Sequence, residues 1–207
     1  GELQRKVSQS QEGIGRRKTI FEALAVESGQ SILDLGCGGG YQVRSLALAV
    51  GSGGRVVGVD PSLKQIEVAR EHCSDLDNVE FTQDSGTHLS FHDETFDSTT
   101  STNVLDYIGD VDSVVAELRR VLRKGGRFCT VSCLWDHHRF HGAEPALNDR
   151  ILHVFRDHCP HQMLPLGLPK ILLNNGFSGI TSMPIPILNM TMHNNAFAPW
   201  TSKTIAA

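Results

Sequence analysis

Hydrophobic residues along the first two thirds of the chain change period at regular intervals, and each change marks the border of an element. Ser31–Leu35 is a short apolar run ending on a glycine cluster, the pattern of a buried parallel strand. Val43, Leu46, Ala47 and Val50 then fall at i, i+3, i+4 and i+7, one stripe of a helix. Residues 55–59 are rich in β-branched side chains and close on Asp60, which predicts a second strand. Ser62 with Gln65 three positions later forms a capping-box signal ahead of the stripe Leu63, Ile66, Ala69 and Cys73. Residues 78–82 predict a third strand ending near Asp84. Residues 96–104 predict a fourth, rich in Ser and Thr, with Asp97 at its start and Asn103 at its end. Asp112 is placed to cap a helix carrying Val114, Val115, Leu118 and Leu122; Lys124-Gly125-Gly126 stops it, and residues 127–133 predict a fifth strand. Upstream, a polar start leads into a short helix over 20–26.

Strands alternating with helices in this way predict a parallel sheet covered on both faces, joined by right-handed crossovers. Ligands of such sheets bind at the carboxyl ends of the strands. The last third breaks the rhythm. Residues 135–161 hold six of the ten histidines, and prolines recur from Pro160 to Pro199. This stretch predicts an irregular or helical insertion, a helix around 170–174, and two closing strands over 179–187 and 190–198.

Composition narrows the function classes. A chain of 207 residues with 40% hydrophobic content is sized for one globular domain with its own core. A formal charge of -4 supplies no broad positive field, so nucleic acid is a weak expectation for a partner. No apolar run approaches the roughly 20 residues needed to cross a bilayer. Five cysteines without a CxxC pair suit a reducing compartment, so the expectation is a soluble cytoplasmic protein, with a homodimer left open.

The chemistry concentrates at Ile32-Leu33-Asp34-Leu35-Gly36-Cys37-Gly38-Gly39-Gly40. Glycines directly after a strand permit a tight turn and let a ligand reach main-chain N–H groups. Asp60 ends the next strand, about 20 residues on, where a carboxylate can accept from both hydroxyls of a ribose. Together they indicate a nucleoside cofactor. The dinucleotide fingerprint G-x-G-x-x-G fails here, because Tyr41 occupies the position of its last glycine. Asp34, two residues before the first glycine, would repel a pyrophosphate but support a cationic sulfonium or ammonium.

At these residues the sequence resembles the class I S-adenosylmethionine-dependent methyltransferases. ILDLGCGGG is similar to that family's first motif and VVGVDPS to its second, while EFTQDSG, FDSTTSTNVLDYIGD and LRKGGRF follow in order. The resemblance spans about 16–177 and is closest to the small-molecule branch that includes ubiquinone and menaquinone biosynthesis methyltransferases. It implies an α/β, Rossmann-like three-layer sandwich: a seven-stranded, mostly parallel sheet with a C-terminal antiparallel hairpin. It also implies S-adenosylmethionine as co-substrate. Asp34, Gly36, Cys37, Gly38 and Gly40 would line its methionine and ribose portion, and Asp60 would clamp the ribose hydroxyls. Pro61 and Ser62 would lie against the adenine, Asp84 would take the adenine amino group, and the Ser85 and Gly86 backbone would read the ring edge. Asn103 and Val104 would meet the methionine ammonium through the main chain.

Methyl transfer from a sulfonium needs mainly a well-placed acceptor, and a base only where the nucleophile must lose a proton. Asp136, His137, His138 and His141 follow the fifth strand, where the acceptor would face the donor; His137 and His138 are the candidate bases. A lid over 135–170 would set specificity for a small organic acceptor methylated at O, N or C. Trp135 and Phe140 offer either an aromatic wall or core packing. His137 and His141, with His158 or Cys159, suggest a metal site only loosely, and no metal is expected. A nicotinamide oxidoreductase and a non-catalytic binding module are the competing readings.

Overall fold

The structure, a computed structural model, describes residues 2–137 and 144–185. In chain order the elements are α1 (Glu2–Gln9), α2 (Gln11–Leu24), β1 (Ser31–Leu35), α3 (Tyr41–Val50), β2 (Arg55–Asp60), α4 (Leu63–His72), β3 (Val79–Gln83), β4 (Phe96–Thr102), α5 (Val111–Val121), β5 (Leu122–Val131), α6 (Pro145–His158) and α7 (Leu164–Asn174). The strands form one sheet in the order β3-β2-β1-β4-β5, and every pair is parallel.

Alternation along each strand sends side chains to two cores. Ile32 and Val56 point to a face covered by α3 and α4, where they meet Val43, Leu46, Val50, Ile66 and Ala69. Leu33, Leu35, Val57 and Val59 point to the other face, against Val114, Val115 and Leu118 of α5 and Leu164, Leu168 and Leu172 of α7. The result is three layers. The chain winds outward through β2 and β3, then returns to place β4 on the far side of β1. That reversal makes β1 and β4 the switch point of the sheet, at whose carboxyl ends ligands of such folds bind.

Local signals are used largely as expected. The Ser62 hydroxyl accepts from Gln65 N at 3.4 Å and caps α4. One helix start moves: Asp110 rather than Asp112 caps α5, its carboxylate accepting from Ser113 N at 3.0 Å and Ser113 Oγ at 2.6 Å. Asp97 ties two strand starts together, accepting from Ser31 N at 2.8 Å. The helix expected over 20–26 is the end of the longer α2, which Ser10 caps by accepting from Gly13 N. Its two glycines weaken the helix signal. Gly13 is required there, because a Cβ would lie 2.3 Å from the Val7 carbonyl oxygen of α1.

Three expectations are corrected. Helix α5 stops at Val121 instead of running to the glycine pair, because Leu122 already pairs with Phe96. Lys124, Gly125 and Gly126 then lie in a register shift before Arg127 rejoins Ser98. The fourth strand ends at Thr102, since Asn103 turns to φ 53. The sheet has five strands among the described residues, not seven. Residues 179–185 carry no strand; Pro184 lacks a ladder donor and Pro186 follows, which weakens this run as a strand. The rest of the expected hairpin lies outside the described residues. No described helix is long and apolar enough to cross a membrane.

Candidate functional site at the carboxyl ends of β1, β2 and β4

The bend after β1 is held from three sides. Gly36 N and Cys37 N both donate to Val59 O, at 2.7 and 2.9 Å, joining the ends of β1 and β2. Gly36 sits at φ +72, and a Cβ there would fall 2.1 Å from Val104 Cγ2, so bend and β4 exit meet at van der Waals contact that only glycine permits. Gly38 N donates to Asp60 Oδ2 at 3.0 Å, and Ser62 N to Asp60 Oδ1 at 2.9 Å. The carboxylate that ends β2 therefore organises both the glycine bend and the start of α4. Each of its oxygens keeps a further lone pair for a ligand. Gly40 opens α3 against Ala69 of α4.

Asp34 lies beside Gly58 and Thr100 in the strand register and is buried. Burial raises its carboxyl pKa to about 8, and the charge of Asp60 adds to the shift. The shift favours the protonated carboxyl at neutral pH. The same burial, with Asp34 and Asp60 nearby, pushes the Cys37 thiol up, so this cysteine packs rather than reacts.

The loop after β3 reaches over the same end. Asp84 accepts from Ser85 N at 2.8 Å, Ser90 N at 2.9 Å and Ser90 Oγ at 2.8 Å, and so holds its own loop in shape. A Cβ on Gly86 would lie 3.2 Å from Leu35 Cδ2, which puts Ser85 and Gly86 next to the glycine bend. Asn103 N donates to Val131 O at 2.8 Å, fixing the β4 exit against β5. Asp34, the glycines, Asp60, Ser85, Gly86, Asn103 and Val104 are therefore gathered at one end of the sheet. Pro61 and Ser62 are exposed beside them.

The residues after β5 are arranged differently. His137 is exposed in a short turn, Trp135–His137. His138, Phe140 and His141 lie outside the described residues. Trp135 is a core residue, buried with its ring 4.7 Å from that of Phe155. Asp136 pairs with Arg156 of α6 at 3.0 Å. The stretch expected as an irregular or helical insertion, followed by a helix around 170–174, holds the two helices α6 and α7.

One acid in this region carries no signal in the sequence. Asp106 follows β4 and is fully buried, without a well-formed hydrogen bond to either carboxyl oxygen among the described residues. Burial dominates and raises its pKa to about 6, against the pull of Cys133 N–H, Ser132, Trp135 and His161. A single Asp in a turn reads as an exposed residue; only the closing of Trp135 and Cys159 over it buries it.

Residues 26–163 match the family described as "Methyltransferase domain". The chain belongs to this methyltransferase-domain family. It is 32% identical over 170 residues to an uncharacterised 37.1 kDa protein in transposon TN4556 of Streptomyces fradiae, covering 82% of this chain and 49% of that protein. It is 36% identical over 110 residues to a demethylmenaquinone methyltransferase of Staphylococcus saprophyticus, covering 53% of this chain and 47% of the relative. The chain spans about half the length of these curated relatives. A SAM-dependent methyltransferase structure from Aquifex aeolicus superposes with a TM-score of 0.66 at 18% identity, over 84% of this chain and 86% of that one, which shows the shared fold. Within the methyltransferase-domain family the position of Tyr41 makes sense: it opens α3, and its ring packs 4.4 Å from that of His72 where a dinucleotide site would need glycine.

Proposed function

We propose that the protein transfers a methyl group from S-adenosylmethionine to O, N or C of a small organic acceptor. One observation carries the reading: a glycine bend that no Cβ could occupy at Gly36, flanked by the buried acid Asp34 and by Asp60. The residues fit the donor. A buried carboxyl that holds its proton only for lack of a positive partner suits a ligand with an ammonium and a sulfonium, and Asp60 has lone pairs left for ribose hydroxyls. When bound, the sulfonium supplies an activated methyl group. The chain's own part is positioning: Gly36, Cys37, Gly38 and Gly40 shape the bend, Asn103 and Val104 present main chain, and Pro61, Ser62, Asp84, Ser85 and Gly86 form the adenine end.

Residues 135–170 act as the acceptor lid in this reading, with His137 or His138 as the base for an acceptor that must lose a proton. The demethylmenaquinone methyltransferase among its relatives makes a quinone-type ring the first acceptor to try. A net charge of -4 favours such a molecule over nucleic acid. A cytoplasmic location and a homodimer complete the proposal. Calorimetric titration with S-adenosylmethionine and S-adenosylhomocysteine tests it, followed by a methyl-transfer panel that includes demethylmenaquinone. Folded protein that gives no heat with either nucleoside refutes the reading.

A further inference from the structure

Positioning a methyl donor makes no use of Asp106. Its side chain is fully enclosed, and neither carboxyl oxygen has a well-formed hydrogen bond among the described residues. The enclosure is built from separate stretches of chain. Residues leaving β5 bring the Cys133 N–H, the Ser132 hydroxyl and the Trp135 ring within reach of the acid. The end of α6 adds Phe155 and Cys159, which pack with Trp135, Tyr107 and Cys133 into one small cluster. The turn between α6 and α7, residues 159–163, is fastened to the backbone of the acid itself: Cys159 Sγ and His161 N both donate to Asp106 O, each at 3.3 Å. His161 Nε2 lies 3.2 Å from Gly109 O, and Trp135 N donates to Gln162 O at 2.8 Å.

These fastenings are few, and three of the four are long for hydrogen bonds. Apart from Cys159, the residues of the turn are at least partly exposed. An ionised carboxylate in this place is costly, because its hydration is lost and no bond of good geometry replaces it. The protonated acid escapes most of that cost. Lifting the turn returns the carboxylate to water, so closure of the turn is linked to the proton.

The other titratable and charged groups around the acid are accounted for. Burial pushes the Cys133 and Cys159 thiols up to about 12 and about 11 and the Tyr107 phenol up as well, so all three stay neutral below pH 8. The His158 ring packs on those of Tyr107 and Phe155, at 5.8 and 6.0 Å. Arg16 of α2 interacts with Cys133, and a guanidinium keeps its charge throughout. His161 faces Asp106 from the turn, and its imidazolium favours the carboxylate form.

We propose that Asp106 is a proton-operated latch: the turn between α6 and α7 stays shut over the exit of β4 while the carboxyl holds its proton, and opens more readily once the proton has gone. Opening uncovers the acid next to Asn103 and Val104, on the side where an acceptor would meet the donor. That consequence rests on the methyltransferase reading above; the latch itself does not.

Amide hydrogen exchange at His161 N and Trp135 N in the free protein tests this between pH 5 and 7, each rate being divided by the intrinsic rate at that pH. With the buried carboxyl at about 6 and an exposed one at about 3.9, the opening constant should rise about 10-fold over this interval. Asp106→Asn should leave the profile flat, and His161→Gln, which keeps the backbone donor, should retain the rise. A flat wild-type profile overturns the proposal whether or not the variants fold. So does a rise that persists in Asp106→Asn or disappears in His161→Gln; if Asp106→Asn does not fold, Asp106→Leu takes its place with the same expectation. Low urea separates a local latch from unfolding of the whole chain. Exchange at the two amides should respond to it less steeply than at Gly36 N, which donates to Val59 O, and an equal response also overturns the latch. No nucleoside enters the measurement, so its outcome is independent of whether S-adenosylmethionine binds.

Discussion

Replacing Gly36 by alanine attacks the contact on which the site is built. Two separate costs arise. The backbone at φ +72 is left-handed, which costs an L-residue about 1–2 kcal/mol. The new methyl would also lie 2.1 Å from Val104 Cγ2 and 2.8 Å from Cγ1, an overlap that requires backbone or side-chain shifts worth about 1–3 kcal/mol. Gly36→Ala should therefore lose about 2–5 kcal/mol, a large part of the roughly 5–15 kcal/mol that holds a domain folded. The two costs separate in a double-mutant cycle. Val104→Ala removes both offending methyls, so Gly36→Ala on that background should keep the backbone cost and shed the overlap, giving a favourable coupling of about 1–2 kcal/mol. Urea unfolding at pH 7 without ligand reads this, provided the slope with denaturant stays constant through the series. A loss below 1 kcal/mol for Gly36→Ala, or simple additivity with Val104→Ala, would show that bend and β4 exit are not in the contact described.

Asp34 makes stability depend on pH with a defined sign. Its native pKa, about 8, lies above the unfolded value, so the native state holds the extra proton and stability falls as pH rises toward 8. Between pH 6.5 and 8 the drop is about 1–2 kcal/mol, most of the Asp106 contribution being lost at lower pH, and Asp34→Asn should flatten that limb of the urea midpoint profile. Arg120 anchors the loop that carries Asp84, Ser85 and Gly86: it bonds Glu117, Asp93, Phe91 O and Leu89 O at 2.7–2.9 Å. Arg120→Ala should cost about 2–3 kcal/mol and speed hydrogen exchange at Leu89 N, which donates to Glu117; unchanged exchange there would refute the anchoring role.

What the sequence determined by itself is what short-range physics writes into it. Strands β1 and β2 follow from short apolar, β-branched-rich runs between turn residues, the pattern of strands buried on both faces, and β3, β4 and β5 from their alternation with helical stripes. The glycine bend and Asp60 were legible for the same reason: a sharp turn after a strand needs glycine, and the ribose-side acid stands at a fixed distance along the chain. Ser62 as a cap was equally local. Boundaries shifted where a long-range pairing outweighed a local signal, as when Leu122 paired with Phe96 and left the glycine pair outside the helix.

Only the tertiary structure decided the electrostatics. Asp34, Asp106 and Arg16 are ordinary charged residues in the sequence; burial raises the first two pKa values and lowers the third because other elements close over them. Trp135 became core rather than acceptor wall because α6 brought Phe155 and Cys159 to it. Desolvation is set by neighbours distant along the chain, and no window of sequence contains them.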